Sequence, residues 1–244
     1  MCHRATYVVP RELFESKSFI SDGFPKLLHQ SWKTSRLPQE FAVSRKTCLD
    51  ANPQHRSILW TDRMNRDFIR SHYPWFLETF DAYNSNIKRA DAVRYFYMYH
   101  FGGVYSDLDV KCIRGFDALA PLANISEVVL GRKGNIGSRQ SIPNAIIMSK
   151  PRSVFWLHVI REMARRVNCS TPMYDTGPEL LHQVYATDAT ALVVLLPSAL
   201  LYPLDWETRT VQRVTHSSRE KKWRDHNFSD YSVAYTYWRH SWKA

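Results

Sequence analysis

The stretch from Asn86 to Asp109 constrains the fold more than any other. From Asn86 to Tyr99, Ala90, Val93, Tyr97 and their neighbours recur at helical spacing, which predicts a helix with a broad apolar face. Gly102-Gly103 follows, and glycine just beyond a helix commonly ends it. Val104 to Asp109 then reads as a strand. A helix delivered straight into a short apolar strand is a repeating piece of an α/β architecture.

The remaining pattern agrees. Phe24 to Trp32 and His55 to Trp60 read as strands, the second after the turn signal Asn52-Pro53. Thr61 or Asp62 is placed to cap the next helix, Pro74 to stop it, and Trp75 to Tyr83 to start another. Glu127 to Leu130 and Asn144 to Ser149 are short strands, Ser153 to Val167 is a helix, and Thr176-Gly177-Pro178 leads into a helix through Thr187. Ala191 to Leu196 is expected to be a buried strand. The alternation predicts an α/β fold with a mostly parallel central sheet and a ligand site at the C-terminal ends of its strands. A length of 244 residues suits one such domain, with 1–23 as an irregular lead-in and 24–244 as the domain proper.

Asp107 and Asp109 carry the chemistry. On a strand, residues two apart face the same side, so the two carboxylates converge while Leu108 points into the core. Two adjacent acids repel each other, and a divalent cation between them removes that cost. Carboxylate oxygens suit Mn²⁺ or Mg²⁺, which also bridge a diphosphate and neutralise charge developing on it. The plain alternative is a pair of solvated acids on a loop. Upstream, Asp91 and Arg94 lie one helical turn apart. They form either a surface ion pair of small worth or a carboxylate for sugar hydroxyls beside a guanidinium for phosphate.

A formal charge of +10 favours an anionic partner such as nucleic acid, a phosphate-bearing substrate or a membrane surface, or else serves solubility. The basic residues form no long block, which argues against nucleic acid. Cys2, Cys48, Cys112 and Cys169 contain no C-x-x-C pair, so a zinc ribbon or thioredoxin-type motif is not expected. Their even number permits disulfides without demanding them. No run reaches the ~18 apolar residues of a membrane span, and no apolar signal segment opens the chain. It is expected to be soluble, or to lack an anchor present in a longer form.

The runs Arg89-Ala90-Asp91-Ala92-Val93-Arg94-Tyr95 and Tyr99-His100-Phe101-Gly102-Gly103-Val104-Tyr105-Ser106-Asp107-Leu108-Asp109 resemble the DXD sugar-binding region of glycosyltransferase family 32. The likeness is strongest towards its inositol phosphoceramide mannosyltransferase branch, and the family also includes the initiating α-1,6-mannosyltransferase. Pro25 to Trp32 is similar to the family's first strand and Leu59-Trp60-Thr61-Asp62 to its second. The resemblance implies a GT-A, Rossmann-like nucleotide-sugar-binding fold. It also implies a retaining, metal-dependent transferase acting on a lipid such as inositol phosphoceramide or on a glycan. The implied donor is GDP-mannose, with a UDP-hexose or UDP-N-acetylhexosamine as the alternative.

By the same resemblance, Asp91 and Arg94 bind the donor sugar, and Asp107 and Asp109 hold the metal and diphosphate. Trp32 lies by the nucleotide base or is a core residue; Trp60 is a core residue. Asn144 faces the acceptor or serves a turn, and Thr176-Gly177-Pro178 lines the sugar pocket or only starts a helix. Family members carry a histidine shortly before a W-x-x-S-W element. Here Trp238-Arg239-His240-Ser241-Trp242 keeps the element, but Thr236 occupies the histidine's place. His240 is the candidate replacement ligand, and water or donor phosphate is the alternative. That departure also suits a second function, a catalytically inactive module that binds glycan or phosphoinositide. No separate catalytic base or nucleophile stands out.

Lys88, Arg89, Lys111, Arg132 and Lys133 flank the expected cleft in sequence or form a solvated basic surface. Glycosylation acceptor patterns at Asn124, Asn168 and Asn227 favour a secretory lumen. The expected setting is the Golgi if an anchor exists and the cytoplasm otherwise, with peripheral membrane association and no nucleic-acid partner.

Overall fold

Apolar residues on both faces of one sheet dictate the architecture, which is drawn here from a computed structural model. It describes residues 9–15, 23–133, 141–188, 191–204 and 232–238. The elements run α1 (Arg11–Glu15), β1 (Leu27–Trp32), α2 (Gln39–Ala51), β2 (Arg56–Thr61), α3 (Asp62–His72), α4 (Leu77–Ala82), α5 (Asn86–His100), β3 (Gly103–Ser106) and β4 (Val110–Cys112). They continue through β5 (Val128–Gly131), β6 (Ile146–Ser149), α6 (Val154–Ala164), α7 (Pro172–Asp175), α8 (Pro178–Thr187), β7 (Val193–Leu196), α9 (Ser198–Leu201) and β8 (Ala234–Thr236).

The central sheet has the order β2-β1-β3-β6-β5-β7, and β4 and β8 form a separate ribbon. β1 runs parallel to β2 and β3, and β5 parallel to β7, while β6 is antiparallel to both neighbours. The mostly parallel sheet expected from the alternation is therefore present, with β6 reversed. One face packs against α3 to α6 and α8 through residues such as Trp60, Phe96, Tyr97, Ile147 and Trp156. The other packs against α2, β4 and α9 through Leu28, Val104, Val129 and Met148. β5 and β6 are buried along their whole length, which explains their unbroken apolar runs. β7 is only partly buried except at Leu196, because it lies at the sheet's end with a partner on one side. The expectation of a fully buried strand over Ala191 to Leu196 is corrected on that ground.

Local signals act where the sequence places them. The Thr61 hydroxyl accepts the Met64 N–H and caps α3, which ends just before Tyr73-Pro74. α5 exceeds its expected single apolar face, since every residue from Asp91 to Tyr99 is buried. It ends where Gly102 and Gly103 take φ of 65° and 87°. A Cβ on Gly102 would lie 2.6 Å from the Pro151 nitrogen, and one on Gly103 2.7 Å from the Leu27 carbonyl. Only glycine satisfies both the backbone angle and the close approach. Within the expected lead-in, Val9 is buried and α1 docks on the core, its Leu13 carbonyl accepting the Tyr99 hydroxyl.

The expected strand from Val104 to Asp109 is also corrected. β3 stops at Ser106, and its ladder with β6 closes where the Asp107 N–H meets the Ala145 carbonyl at 2.8 Å. Asp107 to Asp109 then forms a turn, with the Val110 N–H donating to the Asp107 carbonyl at 3.2 Å. The two acids are thus set by a turn anchored on buried Leu108, and strand alternation does not pair them. Beyond the turn, β4 is tied to α2 by a Cys48–Cys112 disulfide.

Candidate active site

α5 delivers its C-terminal end to the start of β3, so its N-terminal half lies at the strand's far end, beside Asp107. That places Asp91 and Arg94 at the C-terminal edge of the sheet, where ligands of α/β proteins collect. Arg94 is the hub. Its guanidinium sits 2.9 Å from the Asp91 Oδ1 and 3.3 Å from the Asp107 Oδ1. It also donates to the Asn144 carbonyl at 2.7 Å and lies over the Tyr105 ring at 4.4 Å. Burial works against its charge, but Asp107, Tyr105 and Asp91 outweigh burial and raise it above the ordinary arginine range.

Asp91 faces the same network from the other side. Its Oδ1 accepts the Asn144 amide at 3.1 Å and its Oδ2 the Thr176 hydroxyl at 3.4 Å. Burial pushes its carboxyl up to about 7, with Arg94 opposing and Asp107 adding to the shift. Tyr95 closes the ring of contacts, donating to the Thr176 carbonyl at 2.7 Å and accepting the Asn144 amide at 3.2 Å. Asn144 and Thr176 are thus joined to Asp91 and Arg94 in one buried polar network.

Asp107 is the partly exposed member, with 32% of its side chain open to solvent. Its Oδ1 takes the Tyr105 hydroxyl and Arg94, while its Oδ2 has no partner among the described residues. Asp109 is partly buried in the adjoining turn, and its carbonyl accepts the Tyr237 N–H at 3.3 Å. Among the described residues no group of three or more His, Cys, Asp or Glu gathers as a metal cage. Two carboxylates, one with an uncommitted oxygen, still fit a hard cation that draws its other ligands from phosphate and water.

Residues 38–125 match the model of the glycosyltransferase sugar-binding region containing the DXD motif, a span that includes Asp91, Arg94, Asp107 and Asp109. The chain is 38% identical over 171 residues to inositol phosphoceramide mannosyltransferase 3 of Schizosaccharomyces pombe, covering 68% of this chain and 46% of that protein. It is 39% identical over 166 residues to mannosyl phosphorylinositol ceramide synthase CSH1 of Saccharomyces cerevisiae, covering 66% of this chain and 42% of that protein. The chain thus carries the DXD-containing sugar-binding region of glycosyltransferases and is similar to these two enzymes. It spans a little under half the length of these curated relatives. Among solved structures, PaToxG glycosyltransferase superposes with a TM-score of 0.55 at 14% identity, over 68% of this chain and 70% of that one. That likeness shows the expected GT-A type of α/β fold.

The other described residues singled out in the sequence lie outside the Arg94 network. Trp32 stands at the C-terminal end of β1, half-buried, its ring 4.8 Å from Phe41 of α2 and outside the Arg94 network. Trp60 is a core residue, as expected, stacked on Tyr97 at 4.5 Å. His240 lies outside the described residues, as does Asn227. Thr236 is buried opposite Val110 in the β4–β8 ribbon, so the position at which the resemblance implies a histidine adjoins the turn that bears the acids.

Lys88 does not form a solvated surface. It is buried in an ion pair with Asp175 at 2.7 Å, and its ammonium also donates to the Ser170 carbonyl at 3.1 Å. That pair fastens the segment leading to Thr176, and its trace in sequence was a lysine one turn before Asp91. The Asn168 side chain is likewise committed, donating to the Ala82 carbonyl and accepting the Asn84 N–H, so a glycan there would have to displace those bonds.

Proposed function

We propose that this chain is the donor-binding part of a retaining, metal-dependent transferase that moves a hexose, mannose from GDP-mannose, to an inositol phosphoceramide-like lipid. One observation carries the reading: a buried, permanently charged Arg94 bridges Asp91 and Asp107 at the strand ends. A cation held there between two carboxylates has no evident structural task that a hydrophobic side chain would not perform at lower cost. It does suit a site that receives a diphosphate on one side and a sugar on the other, because the planar guanidinium matches phosphate oxygens.

In this reading Asp91, fixed by Asn144 and Thr176, accepts hydrogen bonds from hydroxyls of the donor hexose and sets its orientation. Arg94 faces the phosphates and keeps Asp107 in position. Asp107 and Asp109 hold the divalent cation, Mn²⁺ or Mg²⁺, which when bound supplies Lewis-acid neutralisation of the departing nucleoside diphosphate. In keeping with the family resemblance, the acceptor proton passes to a leaving phosphate oxygen. The names of the two yeast relatives support the lipid acceptor and the sugar. The Cys48–Cys112 disulfide supports an oxidising lumen such as the Golgi, since disulfides persist in such compartments.

The test is donor hydrolysis and transfer across a panel of nucleotide sugars with Mn²⁺, using the wild type and Asp109→Asn. Turnover with GDP-mannose and its loss in the folded variant is expected; retained activity in Asp109→Asn would remove that residue from the metal site. A UDP-sugar preference would correct the donor. Thr236 in place of histidine favours the second reading, a module that binds glycan or phosphoinositide without turnover. Calorimetric binding of such a ligand with neither metal nor nucleotide would establish it.

A further inference from the structure

The C-terminal edge of the sheet continues past the Arg94 network to β5. β3 and β5 both run antiparallel to β6, which lies between them, so their C-terminal ends open on one edge. Two strand spacings of about 5 Å each separate those ends. Asp107 follows β3, Asn144 stands just before β6, and Arg132 and Lys133 follow β5. From β3 outwards the edge therefore presents the acids, then the Asp91–Asn144–Thr176 cluster, then two basic residues.

Pairing beyond β5 fixes how those two residues are turned. The Arg132 N–H donates to the Leu196 carbonyl at 3.0 Å, and the Lys133 N–H to the Ser141 carbonyl at 2.8 Å. Val128 and Leu130 pack in the layer that holds α5 and α8, and Val129 packs in the other. Alternation puts Lys133 on the side of Val129, where its ammonium lies 5.5 Å from the Trp238 ring. Arg132 falls on the side of Leu130, which is also the side of Asp91 and of α8. There His182 of α8 is joined to the same strand end, its Nδ1 lying 2.9 Å from the buried Ser141 Oγ. The Arg132 guanidinium and the His182 Nε2 have no partner among the described residues, and both side chains are half-buried. Withdrawing a guanidinium from water without a counter-charge is costly. Asp91 and Asp107 do not supply one, because Arg94 holds both.

We infer that Arg132 and His182 form a phosphate subsite on the acceptor side, which reads the phosphodiester of the acceptor's head group. This rests on the proposed transfer reaction: with the donor hexose at Asp91 and its diphosphate at Asp107, the ground beyond the hexose belongs to the acceptor. The planar fork of Arg132 matches two phosphate oxygens. When the Ser141 hydroxyl donates to Nδ1, the His182 proton sits on Nε2 and is available to a third oxygen. A neutral glycan has no group for this pair, so the subsite selects an anionic acceptor over an uncharged one.

Calorimetry on the full chain with GDP and Mn²⁺ present tests this, using glycerophosphoinositol, myo-inositol and inorganic phosphate as probes. The wild type is expected to bind glycerophosphoinositol about tenfold or more tighter than myo-inositol, the size of one charge-assisted hydrogen bond. Arg132→Met should bring the two within about threefold. Arg132→Lys should keep part of the gap, since it retains the charge without the fork, and His182→Ala should narrow it. Affinity for GDP with Mn²⁺ should change by no more than about twofold in each variant, because the two places are two strands apart. Unchanged melting shows that each variant is folded. A gap that survives Arg132→Met, a parallel fall in GDP affinity, or inorganic phosphate bound as tightly as glycerophosphoinositol overturns the assignment. Turnover of a nucleotide sugar by a wild type that shows no gap overturns the subsite alone. An Arg132-dependent gap in a protein that turns over no nucleotide sugar supports the subsite and overturns the transferase reading.

Discussion

His29 should make this fold lose stability in mild acid. The ring is completely buried on β1, with Nδ1 accepting the Trp60 indole N–H at 3.1 Å. An indole nitrogen only donates, so the His29 proton must sit on Nε2, where it donates to the Gly102 carbonyl at 3.1 Å. A second proton on Nδ1 would point at the indole N–H. Burial drives the pKa down from 6.5 to about 4, opposed by the bond to Gly102. The folded state therefore binds fewer protons than the unfolded chain between those values. Stability from this group is complete above pH 6.5 and is lost as pH falls towards 4, a total of about 3 kcal/mol and about 2.5 kcal/mol by pH 4.5. Urea unfolding followed by tryptophan fluorescence from pH 7.5 to 4.5 measures it. His29→Gln should be less stable at pH 7.5 but should lose about 2.5 kcal/mol less on acidification. Comparing the two proteins cancels groups common to both. These include His100, also lowered, and Asp91, whose raised carboxyl acts in the opposite direction. Parallel pH profiles for the two proteins would refute the reasoning.

Two further perturbations probe the supports of the site. Replacing both Cys48 and Cys112 by serine reopens a loop closed across a sequence separation of 64 residues. A loss of about 4 kcal/mol is expected from chain entropy, seen as a lower melting temperature of the double serine variant, and an unchanged melting temperature would contradict it. Lys88→Met leaves Asp175 charged and buried and should cost about 3–5 kcal/mol, whereas adding Asp175→Leu should recover most of that loss. Equal destabilisation in the single and double variants would show that the charge pair is not the cause.

The fold was readable wherever a local signal has a local cause. Thr61 caps α3 through its own hydroxyl, and Gly102-Gly103 ends α5 because no other residue fits. The extent of β3 was not readable. Whether Asp107 continues a strand is decided by where β6 stops pairing, a fact held near Ala145 and not in the DXD run. The Asp91/Arg94 pair was visible from its one-turn spacing, but its burial was not, since the walls come from Asn144 and Thr176 far along the chain. Lys88 misled for the same reason: its partner Asp175 belongs to α7.

β8 bears on how occupancy of the two acids would be felt elsewhere. Thr236 pairs with Val110 and the Tyr237 amide bonds to Asp109, so the turn bearing the acids is braced by a strand from the opposite part of the chain. Anything that fixes the turn must also hold that strand down, and fraying of the strand must loosen the turn. Hydrogen exchange at the Tyr237 amide should consequently slow when nucleotide and cation are added, reporting on a site its side chain need not touch.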